Sequence, residues 1–407
     1  MTSDVFGGTT QNHIISGLTN GHRYTHEKKL PNFSVEEVGF FEGPEKLLEV
    51  WFDLYPLEED ETSCAETALN SHCDYDKGLR IIPRSNWEVL LKLVNCEILS
   101  SCSNGYMDAY LLSESSLFVS SNRFVLKTCG NTTLLCAVKP LFQLISAAFP
   151  NNKVTAFFYS HRNFQKPQLQ PHPHSSFEDE VRYLDRIFKD GAAYALGRIN
   201  GDAWYLYTVC VPQLVEGNDQ TLEGTKHSWL SNILFSWLLL ALQVKILMTD
   251  LDPDIMALYS SVAYPSGKLL MRDTGIDQIV PGAILDSKIF DPCGFSANAI
   301  IKGDEYFTIH VTPQVECSWV SFETNLVLDS HIPIIAKVLS IFKPGSFTMS
   351  LFMSKNSNAN ESLVALGNEK IRGYRCRDKQ SCSFNSYDLT FGHFTRASKD
   401  NPYSVCR

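Results

Sequence analysis

A serine-rich turn between two apolar segments is the first part of this sequence that could do chemistry. Residues 112–120 read Leu-Ser-Glu-Ser-Ser-Leu-Phe-Val-Ser. A serine hydroxyl acts as a nucleophile when a neighbouring group activates it. Serine is also a common turn residue, so an ordinary hairpin is the simpler interpretation of the run taken alone. The residues that accompany the turn must decide between the two.

Four other residues could move or carry charge. His310 lies in a predicted strand, and histidine is the commonest side chain for proton transfer near neutral pH. Cys129 by itself reads as a small buried hydrophobe. Glu42 and Glu45 flank Pro44 at a predicted helix start, where carboxylates compensate the helix dipole. Taken singly, these residues indicate no particular reaction.

The elements that must position these residues are mostly strands. Asn200-Gly201 and Gly303-Asp304 mark hairpins. The strand patterns cover 107–112, 117–127, 154–159, 192–199, 203–209, 297–302, 305–312, 318–324 and 347–353. The helical patterns begin at Pro44, with an apolar stripe of Leu47, Leu48, Trp51 and Phe52, and recur at 85–94, 132–148, 177–188 and 329–342. Hairpins followed by a helix and a returning strand occur in both parts of the chain. The pattern predicts two similar halves, each a largely antiparallel sheet covered by helices on one face.

Composition excludes several classes of protein. The chain has 407 residues, 44% of them apolar and 20% charged, with a net charge of −10. The chain is too long for a disulfide mini-protein, and its apolar and charged fractions are those of a globular protein and not of a disordered one. The excess of acidic residues argues against a nucleic-acid partner. The twelve cysteines include no CxxC spacing, and the N-terminus has no signal pattern. We therefore expect a cytoplasmic protein with mostly free thiols.

Three segments stand apart from the predicted domain. Residues 1–39 are polar and read as a disordered extension, and 56–77 read as an acidic loop. The segment 224–245 contains a strongly apolar run that is shorter than the about 20 residues of a spanning helix. We expect no membrane contact there, but an atypical insertion such as a retained intron or a mis-joined gene model. A membrane-tethered protein built on this segment is the weaker alternative.

A metal site is not expected, because two ligands without a third do not make one. The pair in question is His172 and His174, in a proline-rich loop.

Several motifs occur together and in a fixed order. They are Phe41-Glu42-Gly43-Pro44-Glu45-Lys46, the serine-rich turn, Leu126-Lys127-Thr128-Cys129-Gly130, Asp291-Pro292-Cys293-Gly294-Phe295-Ser296-Ala297-Asn298, Thr308-Ile309-His310-Val311-Thr312-Pro313 and Val320-Ser321-Phe322-Glu323-Thr324-Asn325. This set resembles the eukaryotic, animal-type S-adenosylmethionine decarboxylase proenzymes. The resemblance covers residues 40–395.

The resemblance implies an α+β fold, a four-layer α/β/β/α sandwich in a single domain over residues 40–400. It also implies self-cleavage between Glu114 and Ser115 by serinolysis, giving chains 1–114 and 115–407. Ser115 would become a covalent pyruvoyl group that forms a Schiff base with the substrate amine, with no metal and no pyridoxal phosphate. The implied activity is decarboxylation of S-adenosylmethionine to the aminopropyl donor of spermidine and spermine synthesis.

The resemblance also assigns roles to residues. It makes His310 the base that removes the Ser115 α-proton, Ser296 its partner in processing, and Cys129 the proton donor to the decarboxylated Cα. It places Glu42 at the substrate ribose and Glu45 in catalysis. The substrate-binding positions would be Phe41 and Phe290, which sandwich the adenine, together with Glu114 and Gln314. A glutamate is usual where this chain has Gln314, so the charge-assisted bond to the ribose is lost and substrate affinity is the property affected.

A second acidic set implies an activator. The resemblance gives Glu49, Lys127, Asp219, Glu223 and Glu323 as a putrescine site, because clustered buried acids are costly unless a cation joins them. Leu47, Phe158, Asp219 and Phe352 follow the animal-type pattern. We expect putrescine stimulation and a homodimer of processed protomers. The alternative is a weak or inactive paralogue that acts as a regulatory partner of an active decarboxylase.

Overall fold

The structure, a computed structural model, describes residues 41–54, 77–210, 242–355, 371–384 and 387–397. Within them lie two eight-stranded sheets with the orders β2-β3-β4-β5-β1-β6-β8-β7 and β10-β11-β12-β13-β9-β14-β16-β15. The first sheet comprises β1 Lys46–Asp53, β2 Ile98–Ser103, β3 Met107–Leu112, β4 Ser115–Ser120, β5 Arg123–Thr128, β6 Lys153–Arg162, β7 Ala192–Gly197 and β8 Ala203–Cys210. The second comprises β9 Leu242–Thr249, β10 Ile284–Ile289, β11 Phe295–Ile300, β12 Tyr306–Thr312, β13 Trp319–Thr324, β14 Ser346–Ser354, β15 Tyr374–Ser383 and β16 Tyr387–Arg396.

The two sheets have the same topology. Adding eight to each strand number of the first sheet gives the order of the second, and the pairings of both are antiparallel. The α-helices of the described residues are α1 Arg84–Lys92, α2 Val138–Ala148, α3 Phe177–Leu184, α4 Pro253–Met256, α5 Gly267–Thr274 and α6 Ile332–Phe342. The predicted fold class, two similar sheet-and-helix halves in a sandwich, is confirmed.

Hydrophobic burial separates the four layers. One core joins the outer face of the first sheet to α1 and α2, through residues such as Leu48, Trp87 and Leu141. An equivalent core joins the second sheet to α5 and α6. Between the sheets lie two smaller apolar clusters, around Trp204 and around Phe118. The space between the sheets also holds charged residues, which supply the candidate site.

The predicted helix starting at Pro44 is wrong. Residues Lys46–Asp53 form the central strand β1, paired on both sides, and Leu47 to Phe52 are buried. A strand that is buried on both faces has an apolar run in place of clean alternation, and a short run of that kind cannot be told from a helix by periodicity. Glu45 therefore precedes a strand, and the helix-dipole interpretation of this carboxylate no longer applies.

Other boundaries also changed. The predicted strand 117–127 is a hairpin of β4 and β5 that turns at Ser121-Asn122, a turn without glycine or proline. Strands β2, β9, β10, β15 and β16 were not predicted. The last residues of the segment 224–245 belong to β9, a central strand of the second sheet. The tail 1–39, most of the loop 56–77 and residues 224–241 lie outside the described residues, so those expectations stay predictions.

The Phe118 side chain joins the two sheets and offers a test of the sandwich. Its ring, on β4, stacks on the Tyr306 ring of β12 with centroids 4.2 Å apart, and both residues are fully buried. Phe118→Ala should lower the free energy of unfolding by about 3–5 kcal/mol, because it removes buried apolar surface and leaves a cavity. Denaturant titration measures the change. Tyr106→Ala is the control, since Tyr106 is 66% exposed, and its cost should stay within about 0.5 kcal/mol. Equal effects of the two substitutions would contradict this packing.

Candidate active site

The turn that joins β3 to β4 places Ser115 at the mouth of a cleft between the sheets. Ser115 begins β4 with a φ of +132°, in a region of backbone space that is almost reserved for glycine and costs about 1–3 kcal/mol. Its side chain is 2% exposed. This strain adjoins the Glu114–Ser115 peptide bond, where the family resemblance predicts cleavage.

The Ser115 hydroxyl lies between a carboxylate and an imidazole. Its Oγ donates to Glu45 Oε1 at 3.0 Å and lies 3.0 Å from His310 Nε2. The other ring nitrogen, Nδ1, lies 2.8 Å from Ser296 Oγ. The structure therefore brings Glu45, Ser115, Ser296 and His310 into one hydrogen-bonded group.

The carbonyl of Glu114 is held from the other side. Its oxygen accepts hydrogen bonds from the Cys129 backbone N–H at 3.0 Å and from Cys129 Sγ at 3.2 Å. Two donors on one carbonyl oxygen polarise it and would stabilise negative charge that develops there during an attack on the carbonyl carbon. The sequence did not indicate this second role for Cys129.

Burial sets the charge states of the group. Burial lowers the pKa of His310 to about 4, with Glu45 opposing the shift, so the imidazole is neutral at pH 7. Burial would raise the pKa of Glu45, but Lys127, with His310 and Lys245, lowers it to about 2. Burial, reinforced by Glu114, raises the thiol pKa of Cys129 well above its usual value. The site thus combines a neutral imidazole, a carboxylate and a protonated thiol.

Further polar residues surround His310. Ser116 Oγ and Thr308 Oγ1 lie 3.0 and 2.9 Å from its Nε2, and both hydroxyls donate to Asn298 Oδ1. Sequence reasoning assigned no role to Ser116, Asn298 or Thr308, although all three fall within the quoted motifs. Asn298 and Thr308 each lie two residues from Ser296 and His310, so each pair shares one face of its strand. That spacing was the available signal, but using it required the register of β11 against β12.

A cleft of about 250 Å³ opens beside Ser115. Aromatic and polar side chains converge on it, as they do in sites that bind small organic ligands. Predicted substrate and catalytic residues that line it are Phe41, Glu114, Ser115, Cys129, Phe290, Ser296, His310 and Gln314. Glu42 lies elsewhere: its carboxylate accepts hydrogen bonds from the backbone N–H groups of Gln165 and Lys166 at 2.7 and 2.9 Å.

A buried charged cluster lies behind the Ser115 hydroxyl. Lys127 Nζ is 3.2 Å from Glu45 Oε2 and 3.1 Å from Glu323 Oε2, and all three side chains are at most 1% exposed. Tyr306 donates to Glu323 Oε1 at 2.8 Å, and Lys245 Nζ is 3.9 Å from Glu323 Oε2. Burial lowers the pKa of Lys127, but Glu323 and Glu45 outweigh it and raise that pKa overall.

Glu49 extends this inter-sheet cluster. Its Oε1 accepts from Arg123 Nε at 2.8 Å and from Trp51 Nε1 at 2.7 Å, and the Arg123 guanidinium lies over the Tyr306 ring. The structure therefore places Glu49, Lys127 and Glu323 of the predicted putrescine set in one region. Asp219 and Glu223 lie outside the described residues. Arg123, Tyr306 and Lys245 are members that the sequence analysis missed.

Comparisons with known proteins identify the family of this chain. The model of the family described as adenosylmethionine decarboxylase matches residues 38–395. The chain belongs to the adenosylmethionine decarboxylase family. The family identified from the motifs is therefore confirmed, and with it the enzyme class.

Individual relatives cover nearly the whole chain. An S-adenosylmethionine decarboxylase proenzyme of Drosophila melanogaster is 40% identical over 89% of this chain and 98% of its own length. The proenzyme of Xenopus laevis is 39% identical over 88% and 96%. A solved structure of a Trypanosoma brucei AdoMetDC monomer covers 69% of this chain and 99% of its own, at 24% identity and a TM-score of 0.51. This last similarity concerns the fold.

Two sequence-based expectations concern metals and membranes. His174 Nδ1 lies 2.7 Å from the buried carboxylate of Glu180. The part of the chain that the structure describes contains no group of three or more metal-type ligands. Of the helices in the same ranges, none is long and apolar enough to cross a bilayer.

Lys127 should be essential to the stability of the site. Lys127→Met leaves Glu45 and Glu323 without their shared cation, and breaking a buried ion pair costs about 3–5 kcal/mol. The lowered pKa of Glu45 gives the wild type a stabilisation that is fully present above pH 4.5 and is lost as the pH falls toward 2, so the deficit of the variant should be constant from neutral pH down to about 4.5. Its difference from the wild type should shrink only below pH 4.5, as Glu45 takes up a proton.

Urea unfolding at pH 7.5 and at pH 3 measures this difference. Lys139→Met is the matched control, since Lys139 is exposed. A Lys127 variant with an unchanged midpoint at pH 7.5 would show that the buried ion pairs add nothing to stability.

Proposed function

We propose that this protein is an active, self-processing decarboxylase of S-adenosylmethionine that makes the aminopropyl donor for spermidine and spermine synthesis. The observation that carries the proposal is the set of contacts around Ser115. Its backbone is strained, its hydroxyl faces His310 and Glu45, and Cys129 donates a hydrogen bond to the preceding carbonyl, that of Glu114. This setting supports cleavage at Glu114–Ser115. It also supports an active enzyme over an inactive paralogue, since the processing residues keep their mutual contacts.

The first processing step moves the Glu114 acyl group from nitrogen to oxygen. Ser115 Oγ forms a bond to the Glu114 carbonyl carbon, the C–N bond breaks, and the Ser115 nitrogen takes up the proton that its hydroxyl loses. The product is an ester. The Cys129 donors stabilise the negative oxygen between these states, and the φ of +132° raises the energy of the peptide that is consumed.

The second step eliminates the ester. A base takes the Ser115 α-proton, the Cβ–Oγ bond breaks, and Glu114 leaves as the C-terminal carboxylate of the small chain. His310 suits this task because it is neutral, and an N–H on Nδ1 can donate to Ser296 Oγ while Nε2 faces Ser115. Water then replaces the nitrogen of the dehydroalanine, ammonia leaves, and residue 115 begins the large chain as a pyruvoyl group.

The residues around Ser115 fit a pyruvoyl-dependent decarboxylation. When formed, the group supplies the electron sink that loss of carbon dioxide from Cα requires. Cys129 can return a proton to Cα, because its thiol is protonated at neutral pH. Phe41 and Phe290 line the same cleft, where aromatic faces attract a sulfonium cation. Gln314 is also in the cleft, so a neutral amide stands where the family usually has a carboxylate.

Two finer expectations stay predictions. The first is the homodimer of processed protomers, which sedimentation of the purified enzyme would test. The second is stimulation by putrescine. Glu49, Lys127 and Glu323 lie in one buried cluster, which supports a role for charge in this region. The ammonium of Lys245 lies 3.9 Å from Glu323 Oε2, so the described part of this cluster already contains a second lysine.

Ser115→Ala should abolish both processing and activity, because alanine has no hydroxyl to attack the Glu114 carbonyl. Denaturing electrophoresis with mass analysis should show one chain of 407 residues in place of two, 1–114 and 115–407. Ser120→Ala is the matched control: Ser120 is a buried serine at the far end of the same strand and should leave cleavage intact. Two chains from the Ser115 variant, or one from the wild type, would contradict the proposal.

The pH dependence of processing tests the role of His310. Protonation removes its basicity, and its pKa is lowered to about 4. The rate of chain cleavage, measured on freshly translated proenzyme, should therefore stay level from neutral pH down to about pH 5 and then fall with a midpoint near 4. Circular dichroism at each pH checks that the fold persists. A midpoint near the ordinary histidine value of about 6.5 would exclude a buried, neutral base at this step.

A further inference from the structure

A second polar cavity lies between the two sheets, away from Ser115. It has a volume of about 460 Å³ and, among the described residues, shares none of its lining with the cleft beside Ser115. The first sheet contributes Arg162 at the end of β6 and Asp202 just before β8, and the second contributes Ser346 and His393. The proposed decarboxylation uses none of these four residues, so any chemistry of theirs is separate from it.

Strand register places the serine and the histidine of this cavity on one face. Ser346 pairs with Thr395, and Thr348 pairs with His393, in the antiparallel ladder of β14 and β16. Because side chains of a strand alternate between its two faces, Ser346 and His393 are diagonal neighbours on the same face. Phe347 belongs to the core that joins the second sheet to α5 and α6. The face that carries Ser346 is therefore turned toward the first sheet.

A hydrogen-bonded chain connects three of these side chains across the two sheets. His393 Nε2 lies 2.9 Å from Ser346 Oγ, and His393 Nδ1 lies 3.2 Å from Asp202 Oδ2. Because an ionised carboxylate only accepts hydrogen bonds, the ring proton lies on Nδ1, and Nε2 accepts from the Ser346 hydroxyl. The other oxygen of Asp202 contacts the Arg162 guanidinium, which supplies the opposite charge.

The imidazole of His393 can act as a base. Burial, reinforced by Arg162, Arg198 and Arg377 and opposed by Asp378, lowers the pKa of His393, so the ring is neutral at pH 7.5. A carboxylate that orients a neutral imidazole against a serine hydroxyl is the arrangement that activates serine for acyl transfer.

The same cavity holds donors for a negative oxygen. Arg162 and Asn163 both line it. Asn163 Oδ1 accepts from the Ala203 backbone N–H at 3.0 Å, so the Asn163 amide nitrogen remains to donate. Donors of this kind stabilise the oxyanion that forms when a hydroxyl attacks a carbonyl carbon.

We propose that Ser346 and His393, positioned by Asp202, form a second catalytic site that hydrolyses esters of small carboxylic acids. The cavity is lined by polar residues such as Asp250 and Thr395, which favour a small polar acyl group over a long apolar chain. This activity goes beyond the proposed decarboxylation and does not depend on it.

The reaction proceeds in two balanced steps. Ser346 Oγ forms a bond to the acyl carbon, the ester C–O bond breaks, and His393 Nε2 passes the hydroxyl proton to the departing alcohol. Water then attacks the acyl-serine with His393 as the base, the Oγ–acyl bond breaks, and Oγ recovers a proton as the carboxylic acid leaves.

A fluorophosphonate probe tests for an activated serine, because the serine oxygen bonds to phosphorus and displaces fluoride. The full-length protein is labelled at pH 7.5 and digested, and the labelled peptides are mapped by mass. Ser346 should react at least about 100-fold faster than Ser381, the low end of what a general base contributes. Ser381 is the internal control, since it is an exposed serine of the same sheet whose hydroxyl lies 3.0 Å from that of Thr390.

Variants assign the roles, with p-nitrophenyl acetate as the substrate. Ser346→Ala should abolish hydrolysis, and His393→Gln should lower the labelling and hydrolysis rates by at least about 100-fold. Asp202→Asn keeps the shape but can donate to Nδ1, which moves the ring proton to Nε2. It should therefore lower kcat and leave KM unchanged, a split that a merely structural role would not give. Ser381→Ala should change neither rate. Thermal unfolding of each variant checks the fold.

Each outcome supports or overturns the second site. No label at Ser346, or an equal rate in His393→Gln, would show that the three side chains only join the sheets. Should Ser346→Ala fail to fold, the map of the wild type and the His393→Gln rate still decide. A wild type that is unprocessed but labelled at Ser346 would overturn the proposed function and leave this inference standing.

Discussion

The ammonium of Lys127, buried between two carboxylates from different sheets, is the interaction on which the site depends. Glu45 precedes the central strand of the first sheet, and Glu323 lies on β13 of the second. A lysine with no solvent exposure persists only where its partners offset the loss of hydration, which is a cost of several kcal/mol per ion. The Lys127–Glu323 pair bridges the two sheets, and the same ammonium keeps Glu45 ionised beside the Ser115 hydroxyl.

The reacting peptide depends on several weak constraints that act together. The hairpin β3–β4 turns in two residues, which leaves Ser115 with a positive φ, while Cys129 holds the preceding carbonyl and His310 and Glu45 hold the hydroxyl. A folded scaffold must supply the energy for such a backbone conformation. Here that scaffold is a pair of eight-stranded sheets with apolar clusters on both sides of the polar centre. The polar centre is thus dry enough for burial to shift the pKa values of His310 and Cys129.

The repeated topology explains why each sheet contributes half of the site. Ser115, Lys127 and Glu45 come from the first sheet, and Ser296, His310 and Glu323 come from the second. The equivalent central strands are β1 and β9, and the latter carries Lys245. The sequence showed the alternation of strands and helices that predicts this duplication. It did not show β9, because the apolar segment before it resembles neither a regular strand nor a loop.

The sequence by itself determined the family, the fold class and the residues that meet around Ser115. Motif order carries that information, because each of these residues falls within one of the motifs on which the family resemblance rests. The tertiary structure decided what local patterns leave open. Lys46–Asp53 is a strand because it is paired and buried on both sides, although its apolar spacing is equally compatible with a helix. The bonds from Cys129 to the Glu114 carbonyl and the approach of Lys245 to Glu323 depend on strand register and on the packing of one sheet on the other. Charge states follow from that packing too, since burial and neighbouring charges, which no single segment fixes, make His310 neutral and Glu45 ionised.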